Sequence, residues 1–188
     1  MNPSLQKFIA DVDAIVRNGG DEYNITKRVA ARMQELLGGN DILPAAFMKP
    51  NPDKYTLYPV YVAPDDSFSI ASAVWDVGQS TPIHDHGTWG VIGIVQGTEY
   101  EVRYSQPSSN GQTPLVRLED RYIRKGEVEI CCTRDQDIHE VTCASDEPCV
   151  GLHVYGANIG KITRHTYERM TGDKNVVVTA WEPAPFEK

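Results

Sequence analysis

Five histidines are the residues of this 188-residue chain best suited to do chemistry: His84, His86, His139, His153 and His165. His84 and His86 stand two apart in TPIHDHGTWG, just ahead of the strand-like run GVIGIVQG. Side chains two apart in a strand point to one face, so both imidazoles can converge on one metal ion. A third ligand has to come from the second histidine cluster, about fifty residues on. His139 opens the short run HEVTC after the polar turn TRDQD, and His153 lies in CVGLHVYG with Gly151 and Tyr155 on its own face. Periodicity does not choose between them, and for His153 an inward ring hydrogen-bonded to a neighbour is the competing role. Imidazole donors suit iron, zinc, copper and nickel alike.

The remaining reactive residues add little. Cys131, Cys132, Cys143 and Cys149 contain no CxxC pair, and they read as buried or half-buried free thiols. A net charge of −8 argues against a phosphate-binding surface, so no nucleic-acid partner is expected, although a small anion can still find a locally positive site. No apolar run approaches bilayer length, so no membrane partner is expected either. The first residues, MNPSLQKFIADVDAIVRNGG, carry charges within their apolar period and read as an amphipathic helix rather than a signal peptide. The expected location is cytoplasmic.

The elements that must position the histidines fall into two textures. Leu5, Phe8, Ile9, Val12, Ile15 and Val16 repeat at helical spacing, with Ser4 as N-cap and Gly19-Gly20 as the stop. Ile25, Val29, Met33, Leu36 and Leu37 repeat the pattern up to Gly38-Gly39. After a linker rich in Pro, Asn and Asp, short β-branched and aromatic runs alternate with turn clusters. They begin with LYPVYV, FSIASAVW, WGVIGIV and TEYEVRYS, and LVRLEDRYI, EVEICC, HEVTC and CVGLHVYG follow. Close, regular spacing of short strands means an all-β sandwich or barrel. NVVVTAW reads as one more strand, and 162–170 fits neither pattern. The expectation is one domain over 1–188, with helices in 1–40 packed on a barrel spanning 55–182.

The stretches TPIHDHGTWGVIGIVQGTE, IHEVT and GLHVYGANIG resemble the thiol dioxygenases of the cysteine dioxygenase type. The likeness runs from about Tyr55 to Arg164 and is closest to bacterial members, which include 3-mercaptopropionate dioxygenases. It implies a cupin jelly roll, a double-stranded β-helix, holding one iron(II). By motif position it assigns His84, His86 and His139 as the ligands, with His153 and Tyr155 as a pair beside the metal. The partners it implies are a small thiol and dioxygen, the thiol leaving as a sulfinate. General cupins add a glutamate three or four residues after the second histidine. Trp89 and Gly90 stand there in this chain, so the resemblance leaves three histidines and no carboxylate.

The chain departs from the family in three places. Gly151 stands where a serine usually precedes the histidine–tyrosine pair. Gly90 replaces a cysteine that in some members bonds to the tyrosine, so no crosslink is expected there. Leu57 or Tyr58, in Tyr55-Thr56-Leu57-Tyr58, occupies the place of the arginine or glutamine that binds the substrate carboxylate. Arg164, nine residues after Tyr155, matches an arginine that supports the tyrosine in the mercaptopropionate type. Two other functions suit the same residues. One is a three-histidine cupin enzyme of another kind, cleaving a diketone carbon–carbon bond or acting as a lyase or isomerase. The other is a non-catalytic cupin that binds a small ligand.

Overall fold

The two apolar stripes form two helices. A computed structural model describes residues 2–107, 113–131, 133 and 137–183. Helix α1 spans Pro3–Arg17 and helix α2 spans Glu22–Leu37. Asn2, not Ser4, caps α1: its side chain accepts from the Leu5 N–H at 2.8 Å. Pro3 then takes the first helical position, where its missing N–H has no intrahelical partner to lose. Ser4 therefore falls inside the first turn. Asp21 caps α2 in the same way, and Gly38 ends it. Leu5, Phe8, Val12 and Ile15 of α1 and Ile25, Val29, Met33 and Leu36 of α2 are buried in one cluster.

Ten strands follow among the described residues: β1 Thr56–Val62, β2 Ser69–Trp75, β3 Gly90–Gln96, β4 Thr98–Ser105, β5 Val116–Arg124, β6 Val128–Cys131, β7 Ile138–Cys143, β8 Cys149–Tyr155, β9 Arg164–Tyr167 and β10 Lys174–Val177. The segment that fitted neither pattern supplies β9. The last strand is shorter than NVVVTAW, ending at Val177. Cys132 and residues 108–112 and 134–136 lie outside the described residues. A five-stranded sheet runs in the order β1-β2-β8-β3-β6, a three-stranded sheet in the order β5-β4-β7, and β9 pairs with β10. This is the cupin double-stranded β-helix with two N-terminal helices.

Strands β2 and β8 are buried along their whole length, because the helices cover one face of the large sheet and the barrel interior covers the other. Ile70, Val74, Val150, Leu152 and Val154 join the helix cluster. Ala71, Ala73, Trp75 and Tyr155, with the opposite parity, belong to a second cluster on the inner side. Alternation thus assigns the interior face of β8 to Gly151, His153 and Tyr155. The helices approach β3 closely at Gly93, where a Cβ would stand 2.7 Å from the Met33 Cγ.

The two motifs HDHGTWG and HVYGANIG meet in space. Gly156 donates its N–H to the Trp89 carbonyl at 3.0 Å, and the Trp89 indole lies against it. A Cβ on Gly156 would stand 2.2 Å from the indole Nε1. A ring cannot bend away as a methionine chain can, so the whole loop would have to move. Gly156→Val is expected to lower the unfolding free energy by about 1–3 kcal/mol, the usual range for overpacking. Urea denaturation measures this. An unchanged midpoint would mean that the loop yields freely.

Candidate metal centre

His84 and His86 precede β3 on an extended segment, where the sequence pattern predicts the start of a strand. A single antiparallel bridge ties His84 to His139: His84 N–H donates to the His139 carbonyl at 2.8 Å, and the reverse bond is 2.9 Å. Asp85 points away from the other two. Its carboxylate accepts from the His165 N–H at 2.8 Å, from His165 Nδ1 at 2.9 Å and from the Tyr167 hydroxyl at 2.7 Å. That anchorage on β9 turns His84 and His86 to a common side. It also explains why His165 stands outside the centre.

Each of the three rings is oriented through Nδ1. His84 Nδ1 lies 2.9 Å from the Pro82 carbonyl, His86 Nδ1 lies 2.8 Å from Asp137 Oδ2, and His139 Nδ1 lies 2.6 Å from Glu101 Oε1. A carbonyl or carboxylate oxygen only accepts, so a neutral ring carries its proton on Nδ1 and its lone pair on Nε2. Such outer partners fix the tautomer of metal-binding histidines and raise their basicity. The ring centroids of His84 and His139 are 4.7 Å apart, those of His86 and His139 4.9 Å, and those of His84 and His86 5.1 Å. One ligand atom from each of the three lies within 4.8 Å of the others. His139 Nε2 is buried without a hydrogen-bond partner. A metal ion is the group that would satisfy it, so the donor set fits.

Burial, and then the positive charge of the neighbouring rings and of Arg164, push the His84 pKa well below the usual histidine range. Burial also lowers His86, against the pull of Asp137. Burial raises the Glu101 carboxyl, but the bond from His139 and the charges of His139 and Arg121 outweigh it and hold the group at about 2. Neutral imidazoles and ionised outer carboxylates are the states a divalent cation requires.

His153 does not join the three. Its Nδ1 lies 2.8 Å from the Tyr155 hydroxyl, and its Nε2 is buried without a partner. Burial, followed by the charges of His86, His139 and Arg164, pushes it down to about 3. The Tyr155 ring lies 5.3 Å from His86, and burial raises its hydroxyl pKa. Gly90 backs that ring: a Cβ there would stand 3.5 Å from Tyr155 Cδ1.

The rings open onto a narrow cavity between the large sheet and β7. Tyr55, Leu57, Ala73 and Trp75 form its apolar wall, and Arg164 stands among the polar groups that line it. Of the two residues at the expected carboxylate-binding place, Leu57 faces the cavity. Tyr58 does not: its ring packs edge-on against Phe47 and its hydroxyl donates to the Lys49 carbonyl. Strand alternation sends the two to opposite faces. Arg164 is 5 % exposed, donates to Thr179 Oγ1, and keeps its Nε buried without a partner. Among the described residues no carboxylate forms an ion pair with it.

Three carboxyl groups escaped the sequence reading: Glu99, Glu101 and Asp137. In TEYEVRYS the two glutamates share their parity with Arg103 and Ser105 and oppose the buried Val102 and Tyr104, so alternation gives no signal of their burial. Glu99 is fully enclosed, and burial followed by the nearby Glu101 charge raises it to about 8. A folded-state value above the ordinary 4.5 means that the stability tied to this group is complete below about pH 4.5 and is lost as pH rises toward 8. Glu99→Gln carries no such penalty. Its stability gain over the wild type is expected to grow between pH 5 and 8, reaching about 3 kcal/mol near neutrality. Chemical denaturation across that range measures it, and a constant difference would show that Glu99 ionises normally.

Comparison with known proteins places these features in a family. The model of the family "Cysteine dioxygenase type I" matches residues 7–183. Among solved structures, protein TT1209 from Thermus thermophilus is 19 % identical over 60 % of this chain and 92 % of its own, with a TM-score of 0.45. A protein with a double-stranded β-helix domain from Klebsiella pneumoniae is 12 % identical over 72 % of this chain and 92 % of its own, at 0.46. An oxalate oxidase is 14 % identical over 64 % of this chain and 62 % of its own, at 0.45. No helix among the described residues is long and apolar enough to cross a membrane.

Proposed function

The chain belongs to the cysteine dioxygenase type I family, and from that premise we propose that it is an iron(II)-dependent dioxygenase converting a small thiol to its sulfinate in the cytoplasm. The observation that carries this reading is the meeting, in one cavity, of three converging histidines with a buried arginine that has no carboxylate partner. His84, His86 and His139 would hold the iron, kept in place by the Pro82 carbonyl, Asp137 and Glu101. When bound, iron(II) would bring the thiolate and dioxygen together and relay electrons between them, the four electrons that reduce dioxygen coming from the sulfur that takes both oxygen atoms.

The protein's own groups do the rest. Arg164 would take the carboxylate of the thiol acid, in the role that Leu57 cannot fill. Charge-assisted bonds from a guanidinium to a carboxylate are the strong class, and a buried one also excludes water. Leu57, Trp75 and Tyr55 give the carbon chain an apolar wall. Tyr155, braced by His153, would place its hydroxyl beside the reacting atoms as a hydrogen-bond donor. Confinement of this kind can supply a large part of a barrier reduction through orientation alone. A simple thiol acid of the 3-mercaptopropionate kind suits one arginine facing an apolar wall.

The test is oxygen consumption by iron-reconstituted protein with 3-mercaptopropionate, mercaptosuccinate, cysteamine and cysteine, with sulfinate identified by mass spectrometry. One dioxygen consumed per sulfinate formed is the expected result. If no thiol is oxidised, the dioxygenase reading fails.

A further inference from the structure

We propose that Glu99 sets the tautomer of His153 by hydrogen-bonding its Nε2 across Gly151, directly or through one water, and thereby leaves the Tyr155 hydroxyl proton free to point into the cavity. Strand β4 offers two interior carboxyl groups on the same parity, and Glu101 is already spent on His139. Glu99 is 2 % exposed, and its Oε1 is buried without a partner. The Nε2 of His153 is buried without a partner as well. Both atoms border the same point: a Cβ on Gly151 would stand 2.4 Å from His153 Nε2 and 3.1 Å from Glu99 Oε1. The two are therefore separated by at most the span of one bridging water, about 5.6 Å. Two buried polar atoms left unsatisfied are each costly, and pairing them removes both penalties. Any side chain at position 151 would enter the space between them.

The direction of the bonds follows from proton counting. A neutral imidazole carries one proton. If Nε2 accepts from Glu99, that proton sits on Nδ1 and is donated to the Tyr155 oxygen, 2.8 Å away. The tyrosine hydrogen then has to point elsewhere, and the cavity is where Tyr155 opens. If Nε2 carried the proton instead, Nδ1 would take the tyrosine hydrogen and the cavity would lose its donor. Glu99 holds its proton at neutral pH because burial raises it to about 8, so it is the donor of the pair. Its retention at a cost in stability is what a positioning role would explain.

The importance of this chain of bonds to catalysis rests on the proposed function, but its existence can be tested without turnover. Full-length protein labelled with 15N-histidine and loaded with zinc, which is diamagnetic, gives the tautomer of each ring from two-bond 15N–1H correlations near neutral pH. The His153 ring is assigned by its absence from His153→Gln. The wild type and Glu99→Gln, whose amide still donates, are expected to show His153 protonated at Nδ1. Glu99→Met, which keeps the volume and removes the donor, is expected to shift it toward Nε2. In oxygen-uptake assays Glu99→Met should lose about 10–100-fold in kcat with KM little changed, and Glu99→Gln should recover most of that loss. Protonation at Nε2 in the wild type, or an unaltered His153 tautomer in Glu99→Met, overturns the proposal. A tautomer shift in a protein that oxidises no thiol would leave the Glu99–His153 bond standing and remove the dioxygenase reading alone.

Discussion

His86→Ala is expected to abolish stoichiometric metal binding, and with it all oxidation of thiols. The three imidazoles of His84, His86 and His139 are the whole donor set among the described residues. With one removed, two rings must hold the ion against competition from water and protons. The outer partners make the loss worse, because Asp137 Oδ2 would lose its 2.8 Å bond to the His86 ring and keep its charge in a nearly closed site. His153→Ala should behave differently. It touches the centre through Tyr155 and shares no ligand atom with the three, so metal content should stay near one per chain. Activity should fall by about 10–100-fold, as is common when groups behind a metal site are removed. Metal analysis after dialysis, set beside oxygen uptake, separates the two variants. Equal metal loss in both would make His153 a ligand and displace His139 from that role.

Much of this arrangement was legible in the residues, and the limits have physical causes. The helices were plain because their apolar stripes are long, and their ends carry Pro, Asp and Gly signals. The cap of α1 was misplaced onto Ser4 because Asn2 and Ser4 are both capping residues, and only Pro3 between them marks the first turn. The pair His84 and His86 was visible as a spacing. The choice of His139 over His153 was not, since both sit on inward strand faces. What brings His139 beside His84 is a backbone bridge between the two, a contact across more than fifty residues that no local pattern encodes. Leu57 and Tyr58 could not be told apart because a one-residue slip in register exchanges the two faces of a strand. The acidic residues behind the rings were missed for a different reason. Glu99 and Glu101 read as the polar half of an exposed alternation until the burial of β4 on their side is known.

Arg164→Met is expected to reduce kcat/KM for 3-mercaptopropionate by about 10²–10³-fold while sparing cysteamine, which has no carboxylate. The guanidinium is enclosed, keeps Nε without a partner and faces no carboxylate among the described residues. Truncating one side of a buried, hydrogen-bonded charge pair typically costs about 2–5 kcal/mol, which covers that range. Methionine preserves most of the volume, and replacing a buried unpaired cation with an apolar chain should leave stability unchanged or raise it. Loss of activity would therefore not reflect unfolding. The same electrostatics bear on cysteine. Its carboxylate could reach Arg164, but its ammonium would enter a cavity whose nearby carboxylates, Glu101 and Asp137, are already committed to His139 and His86. Sites that leave a charged group unpaired discriminate strongly against it. Cysteine should thus be the poorer substrate, and steady-state oxygen consumption with wild type and Arg164→Met decides both points together. If the variant loses cysteamine and 3-mercaptopropionate activity in equal measure, Arg164 serves Tyr155 and the rings rather than the substrate. If cysteine turns over with a specificity constant well above that of 3-mercaptopropionate, some other group receives its ammonium, and the apolar wall built by Leu57, Tyr55 and Trp75 does not set the preference.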